Sequence, residues 1–169
     1  MKTLFYENDE ITEESELSIF LAGPTPRDTQ MPSWRPDALK VLESMNFEGS
    51  VIIPEYEVGM KQDWDAYHAL DKISDHIGWE MERLEPATVV MFWVPRNLEN
   101  MPAFTTNIEW GKYYDSGKVV LGFPDEAPGM NYFIYCAYHH KIPSCGTLDA
   151  TVCSAIILAK KIMRNKLQM

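Results

Sequence analysis

Thr88–Pro95 reads TVVMFWVP: a nearly uninterrupted apolar run closed by a proline. A strand with one wet face alternates apolar and polar residues, whereas a run without alternation fits a strand covered on both sides. Proline then removes a ladder donor and ends the pairing. The same grammar recurs on either side of this run. SIFLAG closes at Gly23 and Pro24, VII at Pro54 and VVLGF at Pro124. A short run, TLFY, precedes the acidic stretch ENDEITEESE, which reads as a solvated turn or loop, and a weaker strand signal surrounds Ile142. Segments of helical period fill the intervals. Apolar runs alternating with helices predict a parallel sheet with helices on both faces, in a single domain spanning 1–169.

Three hydroxyl residues are placed to open helices. Ser33 starts one running to about Met45, Thr106 one to about Ser116, and Thr147 a last one whose Val152, Ile156, Ala159 and Met163 recur at helical spacing. The basic end of that last helix, KKIMRNK, suits the negative pole of the helix dipole. A fourth helix is predicted over Trp64–Leu84, where Ala66, Leu70, Ile73, Ile77, Met81 and Leu84 form one apolar stripe. In a sheet of this kind ligands gather beyond the carboxyl ends of the strands. The loops after Gly23, Pro54, Pro95 and Pro124 are therefore the places to look, with PTPRDTQMP as one wall.

Composition narrows the partners. The chain has 169 residues, 46% of them hydrophobic, enough for one continuous core. Its formal net charge of -10 repels polymeric nucleic acid and anionic membrane surfaces, which favours a small-molecule partner. Cys136, Cys145 and Cys153 form neither a CxxC pair nor a set with histidines at metal-ligand spacing. Neither a disulfide framework nor a metal site is indicated, and a reducing cytoplasm fits. The acidic start is unlike a secretory signal, and no run of about 18 apolar residues exists to cross a bilayer. His68, His76, His139 and His140 match no HExxH pattern, and neither GxGxxG nor a Walker loop is present, which sets kinases and dehydrogenases aside.

Two carboxylates stand out. On the wheel of the Trp64–Leu84 helix, Glu80 lies about 20° from Ile73, on the apolar side. A buried carboxylate must be paired, protonated or facing a ligand; the plain alternative is a helix-end side chain bending to water. Glu109 follows Thr106 by three residues, as in a capping box whose Glu returns to the Thr backbone N–H. Its helix nevertheless opens from a loop leaving the carboxyl end of a strand. There the helix dipole would keep the carboxylate ionised at neutral pH, as a nucleophile requires. Cap and nucleophile compete for one side chain. Arg35, at the start of the first helix, is either a phosphate ligand or a surface residue. Trp34, Tyr56, Trp79 and Trp110 are aromatic residues near loop ends or first helical turns, suited to a base face or to the core.

IFLAGP, SWRPDAL, WEMERLEPATVVMFW and TTNIEWGKYYDSGKVVLGFPD together resemble the nucleoside 2-deoxyribosyltransferase family and its relatives among nucleotide N-glycosidases, over roughly Ser18 to Tyr135. The resemblance implies a flavodoxin-like three-layer α/β/α sandwich around a mostly parallel five-stranded sheet. It implies Glu109 as catalytic nucleophile, Glu80 as the acidic residue contacting the base, and Asn131 as a residue holding the sugar in a neighbouring subunit's site. Gly23, Pro24, Trp34 and Trp79 complete the expected substrate contacts. Phe20 departs from the family pattern, standing where some members have Tyr, and Thr88 stands where Asp is common.

These residues suit cleavage of an N-glycosidic bond. A carboxylate beneath the anomeric carbon stabilises developing positive charge and can close to a covalent ester. A desolvated Glu80, its pKa raised, would protonate the departing base. The expected activity is base exchange on deoxynucleosides, with no metal or organic cofactor, free nucleobases as partners, and a homo-oligomeric state. The alternatives are a nucleoside or nucleoside-monophosphate N-glycosidase, and a non-catalytic nucleotide-binding module.

Overall fold

The computed structural model describes residues 1–6, 12–13, 16–26, 31–56 and 70–168, with residues 70–73 described by backbone alone. Most of the acidic stretch, residues 27–30 of the PTPRDTQMP loop, and the first turns of the predicted Trp64–Leu84 helix lie outside the described residues.

Six strands form one sheet: β1 (Lys2–Phe5), β2 (Ser18–Ala22), β3 (Ser50–Ile53), β4 (Val89–Trp93), β5 (Val119–Gly122) and β6 (Ser144–Cys145). Their spatial order is β1-β3-β2-β4-β5-β6 and every pairing is parallel. Every residue of β2, β3, β4 and β5 is buried, which is the condition that an unalternating apolar run satisfies. The flavodoxin-like expectation holds, with six strands instead of five because Lys2–Phe5 adds itself to the edge alongside β3.

The described helices are α1 (Arg35–Ser44), α2 (Leu70–Leu84), α3 (Phe104–Tyr113), α4 (Asn131–His140) and α5 (Leu148–Lys166). Successive strand residues feed opposite cores. Ile19, Leu21, Met91 and Trp93 pack with Ala38 and Leu42 of α1 and Val152, Ala155 and Ala159 of α5. Phe20, Val90 and Phe92 pack with Trp79 of α2, Trp110 and Tyr113 of α3 and Phe133 of α4. Thr147 caps α5 as predicted, its side chain accepting from the Ala150 N–H at 3.3 Å.

Chain order places the ligand crevice. From β2 the chain steps to β3 on one side, then crosses back past β2 to β4, so the loops leaving β2 and β4 diverge at this switch point. Gly23 sits there with φ 149°, and a Cβ on it would lie 2.1 Å from the Trp93 carbonyl oxygen. Only a residue without a side chain lets the two strand ends close to this distance.

Candidate active site

The floor of the crevice is built by Arg35. Its Nε donates to the Leu21 carbonyl at 3.1 Å and Nη2 to the Gly23 carbonyl at 2.8 Å, capping the carboxyl end of β2. Nη1 reaches Thr25 Oγ1 at 3.1 Å and the Glu55 carboxylate beyond β3. Ser33 Oγ donates to the same carboxylate at 3.0 Å and accepts from the Arg35 N–H at 3.2 Å, so it stabilises the turn although Trp34 holds the cap position. Arg35 is 1% exposed. Both sequence readings of it, surface residue and phosphate ligand, are therefore corrected: its donors are spent on protein acceptors, which a buried cation needs. Trp34 is buried beneath the loop, its Nε1 donating to the Pro24 carbonyl at 3.1 Å. Gly23, Pro24 and Trp34 are thus brought together.

Glu109 arrives from the other side of the sheet on α3. This helix begins at Phe104 after Ala103, a left-handed residue (φ 59°, ψ 39°) with no side-chain cap. Thr106 lies inside the first turn and is buried, so the capping-box reading fails and Glu109 falls in the second turn. Trp110 anchors the helix at this level, edge-on to Phe92 at 5.3 Å and stacked on Phe133 at 4.9 Å. Glu109 keeps part of its surface accessible, yet its carboxyl is desolvated. Burial first, and the charge of Glu80 second, raise its pKa to about 8, with Arg35 pulling the other way. The expectation that the helix dipole keeps Glu109 ionised at neutral pH is overturned. The dipole acts within the first turn, and desolvation beside a like charge outweighs it.

Glu80 is therefore near enough to feel Glu109, and the two sequence-predicted carboxylates share one site. Glu80 is partly buried on α2, with His76 Nε2 3.4 Å from its Oε1. The predicted stripe of α2 holds at Leu84 and is corrected at Ile77 and Met81, which face outward; the side chains of Ala66, Leu70 and Ile73 lie outside the described residues. The buried row is His76, Trp79, Arg83 and Leu84: His76 stacks on Tyr6 at 4.1 Å, and the Arg83 guanidinium lies 4.3 Å from the Trp79 ring centre. Aromatic and cationic stems supply the core contacts that periodicity credits to the aliphatic residues. Tyr6 also meets Tyr56 at 5.0 Å and Trp79 at 5.5 Å, forming an aromatic wall beside Glu80.

Asn131 is exposed in the first turn of α4, a helix absent from the sequence reading. Arg96, also missed there, ties that turn to α3: it donates to the Gly129 carbonyl at 3.1 Å and to the Asn107 side chain, two residues before Glu109. Thr88 lies at the amino end of β4, where it braces Ser18 and the Glu16 carbonyl, so its departure from the family pattern falls outside the crevice. A cavity of about 300 Å³ also opens at that opposite end, lined by Glu85, Thr88, Ser116, Lys118 and Lys166, where no candidate carboxylate points.

A doubly wound parallel sheet with Glu80 and Glu109 near its switch point defines a flavodoxin-like α/β protein. Residues 16–127 match the family model for nucleoside 2-deoxyribosyltransferase-like proteins, and the chain belongs to that family. The family is generally enzymatic and its chemistry is glycosyl transfer on nucleosides. No match was found among curated proteins.

Proposed function

We propose that this protein is a nucleoside 2-deoxyribosyltransferase that works through a covalent glycosyl ester on Glu109. The observation carrying this reading is that Glu109 of α3 and Glu80 of α2 lie near enough, at the carboxyl end of the sheet, for the charge of Glu80 to add to burial in raising the Glu109 pKa. Two interacting carboxylates hold one proton between them over an intermediate pH range. At rest that proton sits on Glu109, and the reactive tautomer is the one in which it has passed to the Glu80 side, leaving Glu109 ionised for attack. The anomeric C–N bond breaks, its electron pair leaves with the base, the Glu80 proton goes to a ring nitrogen, and a Glu109 oxygen bonds to the anomeric carbon. An incoming base then attacks that carbon, its N–H proton returning to Glu80 as Glu109 departs. The missing 2-hydroxyl of a deoxysugar eases the charge build-up at the anomeric carbon. Gly23, Pro24 and Trp34 form the wall on the Arg35 side, and Trp79 flanks the base beside Glu80.

The partners in this reading are deoxynucleosides and free bases in the cytoplasm, with no metal or organic cofactor. Among the described residues no helix is long and apolar enough to cross a membrane. The active form is a homo-oligomer in which Asn131 of one copy holds the sugar bound to the next. Supporting this, α2, α3 and α4 expose Ile77, Met81, Phe104, Ile108, Tyr132, Tyr135 and Tyr138 on one helical layer.

Incubating one deoxynucleoside with a different free base tests the reaction. The exchanged deoxynucleoside is the expected product. Release of free deoxyribose without exchange would make the protein an N-glycosidase using the same carboxylates with water as acceptor.

A further inference from the structure

We propose that the proton leaving with the base is held jointly by Glu80 and His76, which makes His76 a positioning residue for the departure step. The inference rests on the glycosyl-transfer reading. Its basis is geometric: the two side chains are one turn apart on α2, 3.4 Å separates His76 Nε2 from Glu80 Oε1, and both are largely withdrawn from solvent. The Tyr6 ring, stacked on the imidazole at 4.1 Å and 27°, fixes its plane. Tyr6 is itself held by its backbone N–H bond to the Glu55 carbonyl at 2.9 Å, and Glu55 belongs to the Arg35 clamp. Titratable groups facing His76 include Tyr6 from the end of β1 and Glu80 from its own helix.

The charge balance explains why such a pair is useful. In the reactive tautomer, with the Glu109 proton passed across, Glu109 carries one negative charge and the Glu80–His76 pair, holding that proton, carries none. When the base departs with that proton, Glu109 becomes a neutral ester and the pair becomes anionic. Negative charge has moved from Glu109 to Glu80, and the site's total is unchanged. An imidazole against the carboxyl lets the pair accept that charge without solvent. It also fixes which carboxylate oxygen faces the base. The acceptor base restores the proton in the second half-reaction.

The test compares two leaving groups. In His76→Gln, which puts an amide in place of the imidazole, turnover of ordinary deoxynucleosides should fall about tenfold or more, a part of the roughly 10²–10⁴-fold that a positioned acid supplies. Turnover of a para-nitrophenyl deoxyriboside, whose leaving group departs as an anion without a proton, should stay within about twofold of the parent. Equal losses on both substrates, or no loss on either, would overturn the proposal. A second measurement is independent of turnover: the NMR chemical shift of His76 Nε2 at a fixed pH should move in Glu80→Gln, and an unchanged shift overturns the contact. Failure of the wild-type protein to act on any deoxynucleoside would instead remove the glycosyl-transfer reading, a result the ring chemical shift does not depend on. Should His76→Gln not fold, His76→Asn carries the same comparison.

Discussion

At the scale of single residues, Glu109 answers the question posed by its sequence context: it is a desolvated carboxyl beside a second one and not a cap. Glu109→Gln should abolish turnover, by roughly 10³-fold or more as losses of a covalent nucleophile do, while leaving a folded protein. Near-normal exchange by this variant would remove the nucleophile assignment. Stability gives a second readout. The unfolded chain releases this proton in the ordinary carboxyl range near 4.5, whereas the native protein keeps it to about 8. Between those values the native state binds more protons, so stability falls as pH rises through the window and levels off above it. Glutamine removes that penalty. Urea denaturation should show Glu109→Gln little changed at pH 5 and more stable than the parent at pH 8 and above, by on the order of 2–4 kcal/mol. A difference constant with pH would mean that the carboxyl is not desolvated in the native protein.

At the scale of elements, the loop after β2 and the start of α1 are one unit because a buried guanidinium ties them to the end of β3. Arg35→Leu leaves the Glu55 carboxylate without its cation, and should cost about 3–5 kcal/mol in urea denaturation. Arg35→Leu combined with Glu55→Leu should recover much of that loss. If Arg35→Leu leaves the midpoint unmoved yet weakens nucleotide binding, the guanidinium is a ligand group and not a clamp. This clamp also marks where sequence reading runs out. The strands were legible because burial on both faces erases alternation, and the Thr147 helix because its cap and its apolar row coincide. Arg35 was not, since nothing local distinguishes a buried arginine from an exposed one; its acceptors lie ten to twenty residues away. The α2 stripe misled for a related reason: periodicity shows that a face is apolar without saying what covers it. Helix α4 escaped because Tyr132, Tyr135 and Tyr138 face outward and blur the contrast that marks an amphipathic helix. Position and resemblance singled out the two glutamates as candidates, but that the Glu80 charge reaches Glu109 required the fold.

At the scale of the whole molecule, the outward apolar residues and Asn131 raise one question, whether a site is completed within a chain or between chains. Ile108 is 74% exposed and Tyr138 80%, a costly display for a layer that meets only water. If copies associate through this layer, Ile108→Lys combined with Tyr138→Lys should shift sedimentation toward the monomer and reduce turnover with it. Whether Asn131 acts across the interface is separable from association itself. Glu109→Gln and Asn131→Ala subunits, each inactive or nearly so alone, can be unfolded together and refolded as a mixture. In a symmetric dimer, random mixing gives about half mixed pairs, and in each of them one site has lost both residues while the other has both intact. Activity should then recover to about a quarter of the parent level. If Asn131 serves the site of its own chain, every site in the mixture stays defective in one residue or the other, and no activity returns.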